Sequence, residues 1–298
     1  MPRTPSLSDR TVLNGILALV IATLFFAIQD AITKKLTDSL SAPQIALVRF
    51  FFFSLFALIY AHRTIGVLPA FRSKNLSLQI VRGLLISTEV CIFIIAIGNL
   101  GLAEIHTLIA CFPLIATALS PWILGERIGW RRWAAVLMGF AGTLIILRPG
   151  LAEVNPYVLV ALLCAAMFAL YNLLTRKVAR IDPFQTSLVY FGLTGLIVCL
   201  FVAPFFWQPI SSDDIFWLLI ISATTVISHI LLIKALELAP AVVLQPFNYL
   251  VLVWAIAIGF IVFGETLDVY SIAGGLIVVL SGLFIANREY QNNKINRD

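Results

Sequence analysis

Apolar stretches near 12–34, 43–61, 77–98, 103–124, 131–148, 156–175, 184–206, 213–235, 240–263 and 269–287 make up most of this chain. Each is about 18 to 23 residues long, enough at 1.5 Å per residue to cross a hydrocarbon core of roughly 30 Å. No soluble core can absorb so many apolar helices, and the composition agrees: 61% of residues are hydrophobic and 12% charged, against roughly 45–50% and 25% in soluble domains. The pattern predicts an all-α membrane protein with ten transmembrane helices. Arg3 and Arg10 precede the first stretch, but it is long and has no cleavage-site pattern, so it reads as a retained helix.

The connections are short, the longest polar one lying near 62–76, which leaves no room for a catalytic or nucleotide-binding domain. No glycine-rich phosphate loop followed by Lys-Ser/Thr is present, so no cofactor and no direct use of ATP is called for. Lys and Arg concentrate in alternate connections. Arg63, Arg72, Lys74, Arg82, Arg127, Arg131, Arg132, Arg176 and Lys177 fall with the termini on one side, while Lys34, Lys35 and Arg148 fall on the other. The positive-inside rule then puts both termini in the cytoplasm of a bacterial inner membrane. The net charge of +5 is a loop property suited to an anionic lipid surface and carries no nucleic-acid signal. Cys91, Cys111, Cys164 and Cys199 fall inside apolar stretches without paired spacing and read as packing residues.

The two halves of the chain resemble each other. Asp30-Ala-Ile-Thr-Lys-Lys35 aligns with Asn172-Leu-Leu-Thr-Arg-Lys177, Pro43 with Pro183, Arg49-Phe-Phe with Val189-Tyr-Phe, and Gly125-Glu126 with Gly264-Glu265. Five helices per unit is an odd number, so the second copy crosses the membrane upside down. The units are 1–150 and 151–298, two inverted five-helix repeats.

These residues resemble the drug/metabolite transporter superfamily, in the branch built from two EamA repeats. The resemblance rests on Pro43 and Arg49, Pro113, Leu124-Gly125-Glu126 and Leu147-Arg148-Pro149 in the first half. In the second it rests on Pro183, Phe263-Gly264-Glu265, Gly274-Gly275 and Gly282. It implies a secondary transporter, in a family whose members include amino-acid exporters and importers of riboflavin and S-adenosylmethionine. Val189 stands where Arg49 would repeat, so that arginine acts in one half only.

Ionisable residues in an apolar helix cost about 2.5–3.5 kcal/mol each on insertion scales and must face protein or water. Asp30, Arg49 and Glu89 are such residues, about 6, 9 and 13 Å from the outer ends of their helices at 1.5 Å per residue. Their repeat counterparts Asn172, Val189 and Ser228 are uncharged, with Tyr190 and His229 beside them. Gln245 and Asn248 flank Pro246, which, like Pro113 in the fourth helix, removes a backbone donor and frees carbonyls. The candidate substrate-binding residues are therefore Asp30, Arg49, Glu89, Asn172, Tyr190, His229, Gln245, Asn248 and Trp254. Glu89 is in addition the candidate for proton coupling if it lacks a permanent partner; an Arg49–Glu89 structural ion pair is the competing reading. Phe25, Phe26, Phe93, Tyr171, Tyr190 and Trp254 offer aromatic faces to a cation. Glu126 and Glu265, at tight connections, read as structural.

Ala135-xxx-Gly139 and Ser271-xxx-Gly275 carry the small-xxx-small spacing of close helix packing, which assigns helices five and ten to scaffold or to a homodimer contact. An enzyme is disfavoured because His62, His106 and His229 lie at different depths on separate helices. A passive channel is the remaining alternative class. The partners expected are the bilayer and a small polar metabolite, zwitterionic or cationic. An amino acid or a derivative such as S-adenosylmethionine fits best; riboflavin import and broad-specificity export stay open.

Overall fold

The computed structural model describes residues 9–125, 128–147, 155–179, 181–239, 244 and 247–295, and among them the regular structure is entirely helical. In chain order the helices are α1 (Asp9–Leu36), α2 (Ala42–Thr64), the one-turn α3 (Val67–Ala70), α4 (Leu76–Asn99), α5 (Leu102–Ile109) and α6 (Phe112–Leu124). They continue with α7 (Trp130–Leu147), α8 (Pro156–Val178), α9 (Phe184–Val202), α10 (Ser212–Leu238), α11 (Leu250–Phe263) and α12 (Val269–Ile295). Eight helical segments are long and apolar enough to cross a membrane, Leu102–Leu124 counting as one, and α11 and α12 add shorter apolar stretches. Leu137, Met138, Leu144, Leu276 and Leu280 stand exposed on α7 and α12, as in a chain whose solvent is lipid. This is a multi-pass membrane protein.

Local chemistry sets the helix ends. Proline occupies the first turn of α2, α6 and α8, where a missing N–H costs no hydrogen bond. Asn75 caps α4 by accepting from the Leu78 N–H, and Ser211 with Asp214 forms a reciprocal capping box at α10. Gly125 and Gly264 end α6 and α11 in the left-handed region, at φ 71° and 67°, which glycine adopts without steric penalty.

The expected fourth helix is interrupted. A turn at Ala110–Cys111 separates α5 from α6, and Pro113 sits in the first turn of α6 instead of opening a continuous ladder. Its counterpart is the turn at Tyr249, before α11. Glu126, Gln245 and Pro246 lie outside the described residues.

Contacts between the halves come in exchanged pairs. Helix α1 packs on α10 as α8 packs on α4; α4 meets α9 as α10 meets α2; α6 lies on α8 as α11 lies on α1. Helices α2 with α9 and α7 with α12 are each other's counterparts and pack together. The α7–α12 contact is a backbone approach: a Cβ on Gly142 would stand 2.8 Å from the Gly274 carbonyl oxygen. The expected small residues serve other contacts, Gly139 facing Leu114 and Gly275 facing Thr107.

Candidate functional site

Three of the predicted residues converge. Asp30 on α1, Arg49 on α2 and Glu89 on α4 act on one another electrostatically. Asp30 and Glu89 are 8% and 7% exposed. No Arg49–Glu89 ion pair forms: among the described residues neither has an oppositely charged atom within 4.0 Å, and one terminal nitrogen of Arg49 is buried without a hydrogen-bond partner. Burying a guanidinium nitrogen away from water without a partner is costly.

Asp30 has a partner that the sequence did not assign. His106 on α5 places Nε2 3.2 Å from Asp30 Oδ2, and its ring lies edge-on to Phe93 at 6.4 Å between centroids. The available signal was depth, since both residues fall near the same ends of their helices.

Below this charged layer lies an aromatic one. His229 on α10 shares its Nδ1 with the Thr225 carbonyl oxygen at 2.8 Å. Its ring meets Phe53 at 4.9 Å, Phe26 at 5.3 Å and Phe191 at 6.3 Å. Tyr171 extends the wall, 6.2 Å from Phe191. This aromatic layer is built from α1, α2, α8, α9 and α10. Trp254 on α11 donates its indole N–H to Thr23 Oγ1 at 3.2 Å, and Thr225 donates to Gln29 Oε1 at 2.7 Å.

Other predicted residues sit elsewhere. Tyr190 donates its hydroxyl to the Phe71 carbonyl at 2.9 Å, tying α9 to the connection after α3. Asn172 is exposed and donates to the Phe168 carbonyl of its own helix at 2.7 Å. Asn248 is half-buried beside the turn that opens α11.

Polar fastenings hold both ends of the bundle. At one, Asp182 accepts from Ser73 Oγ at 2.5 Å, the Lys74 N–H at 2.8 Å and Gln79 Nε2 at 2.9 Å. Arg82, counted above as a connection residue, is instead 1% exposed inside α4. It donates to Gln79 Oε1, the Ser187 carbonyl and Thr175 Oγ1, with its guanidinium 5.4 Å from the Tyr171 ring centroid. Burial pushes the Asp182 carboxyl up, but its three donors outweigh this and hold it below the usual carboxylate range.

At the other end Lys34 bridges to Glu265 and donates to the Leu100 carbonyl at 2.7 Å. Glu265 also accepts from the Ala103 N–H at 3.4 Å. Lys34 lies one turn beyond Asp30 on α1, so this fastening stands over the Asp30–His106 contact. Nearby, Ser39 donates to Asp214 at 2.6 Å, and Gln44 exchanges two hydrogen bonds with the Gln208 backbone.

The cysteines are all free. Cys91 on α4 and Cys199 on α9 nevertheless stand 3.9 Å apart, sulfur to sulfur, a proximity that their spacing in sequence concealed.

Comparison with known proteins agrees with this architecture. The EamA-like transporter family model matches residues 13–148 and again 155–287. The chain is 26% identical over 283 residues to an S-adenosylmethionine uptake transporter of Rickettsia prowazekii, covering 94% of this chain and 95% of that one. It is 28% identical over 291 residues to a riboflavin transporter of Vibrio cholerae, covering 96% and 97%. It is 25% identical over 274 residues to a pseudopaline exporter of Pseudomonas aeruginosa, covering 90% and 94%. A protein of known crystal structure shares the fold at a TM-score of 0.62 and 16% identity, covering 94% of this chain and 98% of the other. Two matched repeats spanning nearly the whole sequence make this chain a member of the EamA-like transporter family.

Proposed function

We propose that the protein is a secondary transporter that moves a small polar metabolite, zwitterionic or cationic, across the bacterial inner membrane by alternating access, with both termini in the cytoplasm. On this reading α5 with α6, and α11 with the segment before it, each make one span. The ten spans form two inverted five-helix repeats, 1–150 and 151–298. The exchanged pairs of helix contacts and the matching turns at Ala110–Cys111 and Tyr249 support that symmetry. Two homologous units rocking about a midplane site are the usual machinery of such transporters.

The observation that carries the substrate reading is the set of charges held at the centre without mutual ion pairing, Arg49 and Glu89 above all. Arg49 is placed to receive a carboxylate; Asp30 and Glu89 suit an ammonium or other cation. Phe26, Phe53, Phe191 and Tyr171 add aromatic faces for the cation or for a ring. An amino-acid derivative of the S-adenosylmethionine kind satisfies all of these features, and a relative named for its uptake agrees. Glu89, which has no hydrogen-bond partner among the described residues, is the proposed proton carrier. His229, Asn248, Trp254, Asn172, Tyr190 and Gln245 remain proposed substrate contacts. Riboflavin is the second reading, favoured by the aromatic layer and by the Vibrio relative.

The test is thermal stability of the purified protein in detergent against S-adenosylmethionine, amino acids, choline-like cations and riboflavin. A ligand at a hundredfold its Kd stabilises the folded state by about 2.7 kcal/mol. A shift with the cationic amino-acid derivative that disappears in Asp30→Asn supports this reading; a shift with riboflavin alone replaces it by the second.

A further inference from the structure

The carboxylates and the guanidinium at the centre are unequal in number. Asp30 and Glu89 contribute two negative charges and Arg49 one positive charge. Lys34 and Glu265 cancel each other in their bridge. His106 and His229 face the cluster from α5 and α10, and Cys91, Cys164 and Tyr171 lie within electrostatic reach of Glu89. Helices α9 and α11 carry no ionisable Asp, Glu, Lys, Arg or His, and α8 faces the centre with Tyr171. Glu104, in the first turn of α5, is not among the charges acting on Arg49 or Glu89. Carboxylates therefore outnumber the guanidinium by one in a low-dielectric interior.

Asp30 has His106 Nε2 3.2 Å from its Oδ2. Among the described residues Glu89 has neither a hydrogen bond nor a cation within 4.0 Å, although it is equally buried. We propose that the missing positive charge in the substrate-free protein is one proton on Glu89, and that the site releases this proton when it takes up a substrate of net charge +1, while a net-neutral zwitterion leaves it in place. The proposal rests on the transporter reading above and adds a stoichiometry to it. In the exchange the Glu89 O–H bond breaks, its electron pair stays on the carboxylate, the proton passes to water, and the bound cation takes over the neutralisation. A zwitterion brings both charges at once and finds Arg49 and Asp30 already sufficient.

The experiment uses the full-length protein in detergent at a pH of about 7.5. Binding is followed by calorimetry in two buffers of different ionisation enthalpy, which reads protons released per ligand bound. The probes are S-adenosylmethionine, whose sulfonium gives it net charge +1, and S-adenosylhomocysteine, which lacks that charge. Expected are about one proton per bound S-adenosylmethionine and none per bound S-adenosylhomocysteine. Glu89→Gln should bind the cation with no release, and His106→Gln should retain the release. Binding of S-adenosylmethionine to the wild-type protein without proton release overturns the proposal, whether or not the Glu89 variant folds. Release that survives Glu89→Gln, or is lost in His106→Gln, overturns it too. Absence of binding by either probe is a different result, seen as absent heat, and overturns the substrate reading together with the stoichiometry built on it.

Discussion

Lys34 on α1 holds the carboxylate of Glu265, which lies at the connection between α11 and α12, some 230 residues further along the chain. The lysine ammonium also donates to the Leu100 carbonyl at 2.7 Å. Among the described residues this is the single bridge between a Lys or Arg and an Asp or Glu. It joins the two halves at the rim above Asp30.

Neutralising either member should loosen that rim. The pair is partly exposed, so Lys34→Gln or Glu265→Gln should each lower stability by about 1 kcal/mol or less. In a double-mutant cycle read by thermal melts, Lys34→Gln/Glu265→Gln should cost less than the sum of the two single variants. A purely additive cycle would show that the contact contributes nothing.

Asp182 makes stability at the opposite end depend on pH. Its folded-state pKa is depressed, so its contribution is fully present above the unfolded value of about 3.9 and is lost as pH falls through the lower folded value. Asp182→Asn should therefore lower the melting temperature by a constant amount between pH 6 and 8, in round terms, with the gap to wild type closing below about pH 4. A gap that persisted in acid would assign the loss to packing.

Gly274 leaves no room for a side chain, because a Cβ there would stand 2.5 Å from the Gly142 carbonyl oxygen. Gly274→Val should destabilise the protein by about 1–3 kcal/mol through overpacking of α7 against α12. Gly275→Ala, which meets the methyl group of Thr107 at 2.8 Å, should cost less because a side chain yields more readily than a backbone. Comparing the two melting curves checks the order.

The lipid-facing architecture was legible in the sequence because a long apolar run has few alternatives, and the repeat was legible through Gly125 and Gly264, whose left-handed caps leave a local mark. The break at Ala110–Cys111 was not, since Pro113 pointed to the right region but marks the start of a helix there. Asp30, Arg49 and Glu89 stood out as charges among apolar neighbours. Phe53 and Phe191 did not, because phenylalanine is ordinary in such segments and only packing brings them to His229. The Asp30–His106 contact and the burial of Arg82 are tertiary facts: residues far apart in sequence carry no local signal of meeting.

The two sulfurs of Cys91 and Cys199 stand 3.9 Å apart across the seam between the halves, and that makes the native chain its own ruler. A disulfide needs Cα atoms within about 7 Å, so a mild thiol oxidant joins these helices only while they keep this mutual placement. The rate at which the thiols disappear then counts the fraction of time spent in this arrangement, with no foreign label introduced. A substrate that favours it should quicken the loss and one that draws the halves apart should slow it, and Cys199→Ser should abolish the signal.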